Sequence, residues 1–196
     1  MNEDLRWINQ ALQGDDNAFG ILVEKYQKPV FSLCYRMLGN AKDAEDAAQE
    51  SFIRAYRHLK KYDQTRSFAT WLLSIASHYC IDRVRKHHLE TISVESIPAE
   101  VITDHKSPNP EKVLHASETE VLIQYLLDDL KPTDRAAVVL RYWYEYSEVE
   151  IAETLDLSVS AVKSRLYRSR RALADAWLSA EKTTMTKRRH HESPAF

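Results

Sequence analysis

The chain has 196 residues, with 27 basic and 29 acidic side chains, three glycines, six prolines and two cysteines. Average usage would place about fourteen glycines in a chain of this length. A β-sandwich or barrel, a Rossmann fold and a phosphate loop are therefore disfavoured, and an all-α protein is expected. The net charge of −2 hides local fields: residues 1–88 carry 13 basic and 11 acidic groups, 89–116 carry 2 and 5, 117–182 carry 9 and 12, and 183–196 carry 3 and 1.

Two periodic helical blocks are expected, about Leu5 to His88 and about Ser117 to Ala180. In the first, Asp15-Asp16-Asn17 offers a cap before a short helix Ala18 to Lys25, and Pro29 opens a second helix to about Leu38. Gly39-Asn40 breaks it. From Ala41 to Leu59 the apolar positions Ala44, Ala48, Phe52, Ala55 and Leu59 fall at helical spacing, which makes one buried stripe. The opposite face starts acidic (Asp43, Glu45, Asp46, Gln49, Glu50) and turns basic at Arg54 and Arg57. After a polar turn, Lys60 to Ser67, a last helix runs from Phe68 to about Lys86, with Trp71, Leu72, Ile75, Tyr79 and Val84 near one face.

Thr91 to about Leu114 holds three of the six prolines (Pro98, Pro108, Pro110), is acidic, and has no sustained period, so it reads as an extended linker. Beyond it, Glu118 to Leu130 forms a helix and Pro132-Thr133 opens another. Ser147 and Glu150 have the spacing of a capping box, ahead of a short helix Glu148 to Leu155. Ser158 caps a longer helix with Val162, Leu166, Ser169, Leu173 and Ala176 on one stripe. Two helices joined at Asp156-Leu157 make a helix-turn-helix. Residues 183–196 are polar and basic, and composition alone suggests a disordered tail.

The second helix of that pair concentrates charge. Lys163, Arg165, Arg168, Arg170 and Arg171 fall in nine residues without an acid, in a block that is otherwise net negative. With the apolar stripe turned inward, Ser160, Ala161, Ser164, Arg165 and Arg168 face outward on the part that enters a major groove. A guanidinium fork matches phosphate, or the two acceptors of guanine. In the first block aromatic and basic residues interleave: Arg54, Tyr56, Arg57, Lys60, Lys61, Tyr62, Arg66, Phe68 and Trp71. Single-stranded nucleic acid needs both cations and ring faces. Tyr56 and Trp71, at helical spacing, read as core; Tyr62 and Phe68, beside the turn, are the open pair.

No catalytic constellation, metal-ligand spacing or cofactor motif is present. His87-His88 and His190-His191 are adjacent pairs that diverge on a regular backbone, and Cys34 and Cys80 sit in apolar contexts as buried thiols. Two such cysteines suit a reducing, cytoplasmic compartment. The acidic start does not resemble a signal peptide, and no apolar run approaches the length of a membrane span. A DNA-binding regulator with a helix-turn-helix output and an all-α enzyme are the alternatives on these residues.

Residues 22–63 (LVEKYQKPVFSLCYRMLGNAKDAEDAAQESFIRAYRHLKKYD), 68–86 (FATWLLSIASHYCIDRVRK) and 130–173 (LKPTDRAAVVLRYWYEYSEVEIAETLDLSVSAVKSRLYRSRRAL) resemble the bacterial extracytoplasmic-function sigma factors, in the sigma-two and sigma-four domains. The resemblance implies a sigma-two domain at 1–90, an acidic linker at 91–116, a sigma-four domain at 117–182 and an unassigned tail at 183–196. It implies a factor without enzymatic activity that binds core RNA polymerase and directs promoter-specific initiation. Asp43, Asp46, Gln49 and Glu50 would dock on the clamp coiled coil, and the second domain would meet the upstream flap. Lys60, Lys61, Tyr62, Arg66, Ser67, Phe68, Thr70, Trp71, Ile75, His78, Arg83 and Arg85 would melt and read the single-stranded −10 element. Ser158, Ser160, Ala161, Lys163, Ser164, Arg165, Tyr167, Arg168 and Arg171 would read the −35 duplex. An anti-sigma partner is implied as well, and no membrane insertion. Ser160-Ala161 stand where many relatives have Gly-Thr, so the −35 preference does not transfer.

Overall fold

Caps and breakers set the helices. In a computed structural model, which describes residues 3–94 and 118–191 and the side chains of 3–87 and 119–179, the first helix is α1, Glu3–Leu12. Asp15 then caps α2, Asp16–Leu38, its carboxylate accepting from Asn17 N at 3.0 Å and Ala18 N at 3.3 Å. The two short helices expected here are one, because Pro29 is absorbed inside α2. Gly39 ends α2 with φ +77°, a conformation open to glycine, and its N–H returns to Tyr35 O at 2.8 Å. Asn40 caps α3, Ala41–His58, accepting from Asp43 N at 2.8 Å. A single 3-10 turn, Leu59–Lys61, leads to the polar turn and α4, Phe68–Val94. The last turn of α4 enters the stretch assigned to the linker; most of that stretch, 95–117, and the final residues 192–196 lie outside the described residues.

The second half begins with α5, Glu118–Asp128, and α6, Pro132–Trp143, which has proline in its first turn. The capping box is present: Ser147 Oγ accepts from Glu150 N at 3.2 Å and Glu150 Oε2 accepts from Ser147 N at 2.8 Å, opening α7, Glu148–Leu155. Asp156 adopts φ +53° at the turn, and Ser158 Oγ accepts from Ala161 N at 3.2 Å to start α8, Val159–His191. α8 thus continues through residues that composition assigned to the tail. No glycine or proline interrupts the chain between Val159 and His191, and the first breaker is Pro194.

Among the described residues no strand occurs, and the molecule is all-α. α1, α2, α3 and α4 pack around Leu22, Leu33, Met37, Ala47, Phe52, Leu72 and Ala76. α6, α7 and α8 pack around Val139, Leu140, Ile151, Leu155 and Val162.

These two bodies do not stand apart. α4 and α2 touch α6 and α7, and the buried apolar side chains of both halves form one contiguous cluster. α4 is therefore covered on two sides. Leu72, Leu73, Ala76, Cys80 and Ile81 are buried, while Trp71, Ile75 and Tyr79 are half-buried. The single inward face expected for this helix understated its role, since a helix apolar nearly all round is one that neighbours surround.

Candidate nucleic-acid interface

The acidic ridge on α3 is only partly open to solvent. Asp46 and Gln49 are exposed, whereas Glu50 accepts from Arg54 Nε at 2.8 Å. Asp43 is partly buried: it accepts from Asn40 Nδ2 at 2.5 Å and forms an ion pair with Arg83 of α4. Burial works against the Arg83 charge, but the Tyr79 hydroxyl and the Asp43 and Asp46 charges outweigh it and raise its pKa. The structure thus ties together one residue expected to meet the polymerase and one expected to meet DNA.

The turn after α3 presents Lys60, Lys61, Arg66 and Ser67 to solvent. Asp63 shapes it, accepting from Thr65 N at 3.0 Å and Thr65 Oγ1 at 2.7 Å; these bonds and nearby Arg66 hold its carboxyl below the ordinary range. Tyr62 and Phe68 do not offer free ring faces. They are 8% and 2% exposed, pack edge-on at 5.6 Å, and meet Trp71 at 5.0 and 5.7 Å. Tyr62 Oη donates to Arg66 O at 2.5 Å and closes the turn. The pair left open is therefore buried, and of the two read as core Trp71 packs half-buried against it while Tyr56 is 44% exposed, with its hydroxyl on Asp16 and its ring against Phe19. Helical spacing placed Tyr56 on the flank of the stripe, and a short turn is stable only with an apolar anchor beneath it.

Further along α4, His78 and Arg85 are exposed, and Thr70, Trp71, Ile75 and Arg83 are half-covered. Thr70 Oγ1 lies 3.3 Å from Tyr146 Oη of the second half. Part of the expected −10 surface is therefore in contact with the other domain.

On α8 the stripe Val162, Leu166 and Ser169 is buried, and Lys163, Ser164, Tyr167, Arg168 and Arg171 face out. Ser158 and Ser160 are exposed, with their hydroxyl oxygens 3.0 Å apart, and Ala161 is half-buried. Lys163 stands 3.8 Å from Glu148. Arg165 is held, its Nη1 donating to Asp134 of α6 at 2.6 Å, with side chains 28% and 12% exposed. Of these five neighbouring cations Arg165 is thus anchored to α6, whereas Lys163, Arg168, Arg170 and Arg171 are exposed.

Sequence reading missed the residues that join the halves. Arg135, 5% exposed, donates from Nη1 to Met37 O at 2.8 Å and pairs with Asp128 at 3.0 Å; burial lowers its pKa and the Asp128 charge opposes that. Tyr144 Oη donates to Pro29 O at 2.5 Å. Arg36 lies over the Trp143 ring at 4.2 Å. The available signal was the run Tyr142-Trp143-Tyr144-Glu145-Tyr146, whose aromatic density exceeds what α6 and α7 bury by themselves.

Known proteins match this arrangement in both halves. The model for sigma-70 region 2 matches residues 22–89, and that for sigma-70 region 4 matches 120–173. The chain is 39% identical over 174 residues to the ECF RNA polymerase sigma factor SigW of Bacillus subtilis strain 168, covering 85% of this chain and 92% of the relative. It is 32% identical over 174 residues to the ECF RNA polymerase sigma-E factor of Escherichia coli K12, covering 85% and 90%. Among solved structures, CnrH in complex with the cytosolic domain of CnrY superposes with a TM-score of 0.67 at 25% identity, over 90% of this chain and 97% of that one. The sigma factor RpoE of Bartonella quintana, solved with the anti-sigma factor NepR, shares the fold at a TM-score of 0.63 and 17% identity, over 81% and 96%. A helix-turn-helix by itself fits many regulators, but region 2 and region 4 together, with these relatives, show that the chain belongs to the ECF RNA polymerase sigma factors and directs transcription initiation.

Proposed function

We propose that residues 1–90 act as the polymerase-docking and −10 domain, 91–116 as an acidic tether, 117–182 as the −35 domain and 183–196 as a tail. Asp46, Gln49 and Glu50 grip the clamp coiled coil, with Asp43 placed by Arg83. Lys60, Lys61, Arg66, Ser67, His78 and Arg85 bind opened −10 DNA, and Thr70, Trp71, Ile75 and Arg83 line that surface once the second half leaves it. Tyr62 and Phe68 support the turn from beneath and act on DNA only through its shape. Tyr167, Lys163, Ser164, Arg168 and Arg171 meet the −35 duplex, Ser158, Ser160 and Ala161 set the entry of α8, and Arg165 holds it to α6. The protein adds no chemistry of its own, and it works in the cytoplasm, where core polymerase and the chromosome are.

One observation carries this reading: the exposed cations collect on two elements, the turn with α4 and the outer face of α8, while an acidic ridge is left partly open on α3. The two DNA elements are centred about 25 base pairs apart, roughly 80 Å of duplex, and α4, the longest helix of the first half, spans only about 40 Å. The docked halves cannot reach both elements, so initiation requires them to separate. The docked form suits an anti-sigma partner that grips both halves; CnrH was solved in complex with the cytosolic domain of CnrY, and the Bartonella quintana RpoE with the anti-sigma factor NepR. Run-off transcription with core polymerase on genomic fragments tests the reading. Start-site-specific transcripts that need this chain are expected, and a chain that never co-elutes with core overturns it.

A further inference from the structure

Where the halves meet there is a cavity of about 700 Å³, lined by Arg85 of α4, by Lys131, Pro132, Thr133 and Asp134 at the start of α6, and by Arg165, Arg168 and Ser169 of α8. Four cations face two carboxylates there, Asp129 and Asp134. Asp134 is already neutralised by Arg165 at 2.6 Å, and the Asp129 charge also acts on Arg135. Lys131 and Arg168 have no ion-pair partner among the described residues. Arg85 reaches across the boundary, donating to Thr133 Oγ1 at 3.2 Å.

α6 opens into this space without a side-chain cap, so the N–H groups of its first turn add partial positive charge. The Ser169 side chain is a second, independent sign. It is 2% exposed, and its hydroxyl has no hydrogen-bond partner although it borders a polar cavity. A buried donor left unpaired is costly, and such groups mark places that a ligand or water completes. The apolar lining is Leu130, Pro132 and Ala172, with no ring on which a base would stack.

We propose that this cleft binds an oligophosphate, either free or as the phosphate chain of a nucleotide. Guanidinium forks and an uncapped helix start are the groups that phosphate oxygens prefer, and the volume lies within the range of small-molecule sites. Because Arg85 belongs to one half and the remaining cations to the other, the site is complete only while the halves are docked. A bound oligophosphate therefore holds the chain closed, and opening onto polymerase expels it, since coupling between two binding events is reciprocal.

Titration calorimetry on the full chain at constant ionic strength tests this, with sodium triphosphate, ATP and orthophosphate as separate probes. Triphosphate is expected to saturate one site. ATP binding equally well or better identifies nucleotides as able to occupy it, and triphosphate binding alone identifies the free anion; both support the site. Lys131→Gln and Arg85→Gln should each weaken binding about tenfold, the loss of one charge-assisted contact, with helix content unchanged. In parallel, triphosphate should lower the affinity for core polymerase several-fold in the wild type and not in Lys131→Gln, whose core binding without triphosphate is unaltered. Equal binding of orthophosphate, no saturation, or indifference to both substitutions overturns the proposal. So does protection of the α6 amides by a short duplex but not by triphosphate, which would assign the cleft to the DNA track. Core binding without any phosphate tests the promoter reading separately.

Discussion

Arg135 Nη1 stands 2.8 Å from the carbonyl oxygen of Met37, so a side chain of the second half closes the end of α2 in the first. The last carbonyls of a helix have no partner within it, and here Gly39 supplies one and Arg135 another. Arg135→Ala should cost about 2 kcal/mol, the value of a charged hydrogen bond to a buried acceptor. The larger effect is on cooperativity. Urea unfolding followed by tryptophan fluorescence and by helix content should coincide in the wild type and separate in the variant, as the halves come apart before they melt. Coincident curves at the same midpoint would show that this contact does not couple them.

How far the sequence revealed the molecule follows from where the energy lies. Caps at Asp15, Ser147 and Ser158 act within four residues, so their signals are local and legible. Stripes on α3 and α8 were legible for the same reason. The docking of the halves depends on residues 48 to 115 positions apart, such as Arg85 with Thr133 and Pro29 with Tyr144, and no periodicity encodes such pairs. Tyr62 and Tyr56 illustrate the remainder. Each follows or precedes a basic residue, Tyr56 before Arg57 and Tyr62 after Lys61, and only the path of the turn decides which ring is buried.

The capping box positions α7 and, through it, α8. Ser147→Ala removes the acceptor for Glu150 N and should cost about 1 kcal/mol. No DNA contact is lost, so the predicted signature is indirect: −35 duplex affinity falls together with thermal stability, and added stabilising osmolyte recovers both. Affinity lost without any change in stability would place Ser147 on the DNA.

Asp46 and Asp43 lie on the same ridge but differ in what they hold. Asp46 is exposed, whereas Asp43 is tied to Arg83. Asp46→Lys should abolish co-elution with core polymerase and leave the melting temperature in place. Asp43→Lys should weaken core binding and also destabilise, though by no more than about 1 kcal/mol for a pair this exposed. Equal core binding by wild type and Asp46→Lys would remove the ridge from the interface.

Arg168 is exposed while Arg165 is anchored, so their substitutions should be distinguishable. Arg168→Ala should lower −35 duplex affinity and reduce the slope of log affinity against log salt by about one, the signature of one lost phosphate contact. Arg165→Ala should mainly destabilise, because it leaves the Asp134 carboxylate, 12% exposed, without its partner. Filter binding across salt, set beside thermal melts, separates the two outcomes.

The junction should fail at alkaline pH. Burial raises the pKa of Tyr144 above its ordinary 10.0, and that of Tyr146 likewise. Both hydroxyls lie at the boundary, Tyr144 on Pro29 O at 2.5 Å and Tyr146 on Thr70 Oγ1 at 3.3 Å. The docked state favours the neutral phenol. Below the undocked pKa both states are protonated and docking is fully stable. As the pH climbs past it, the separated halves ionise first, and docking weakens until the docked phenols ionise in turn. For Tyr144 the loss is up to about 1.4 kcal/mol per pH unit. Energy transfer between a label on each half should therefore drop above pH ~10 in step with phenolate absorbance. Tyr144→Phe, which cannot ionise, should keep more of its docking through that window, while starting about 1 kcal/mol weaker for the lost bond to Pro29. A wild type that stays docked while its buried tyrosines ionise would show that the two hydroxyls do not hold the halves together.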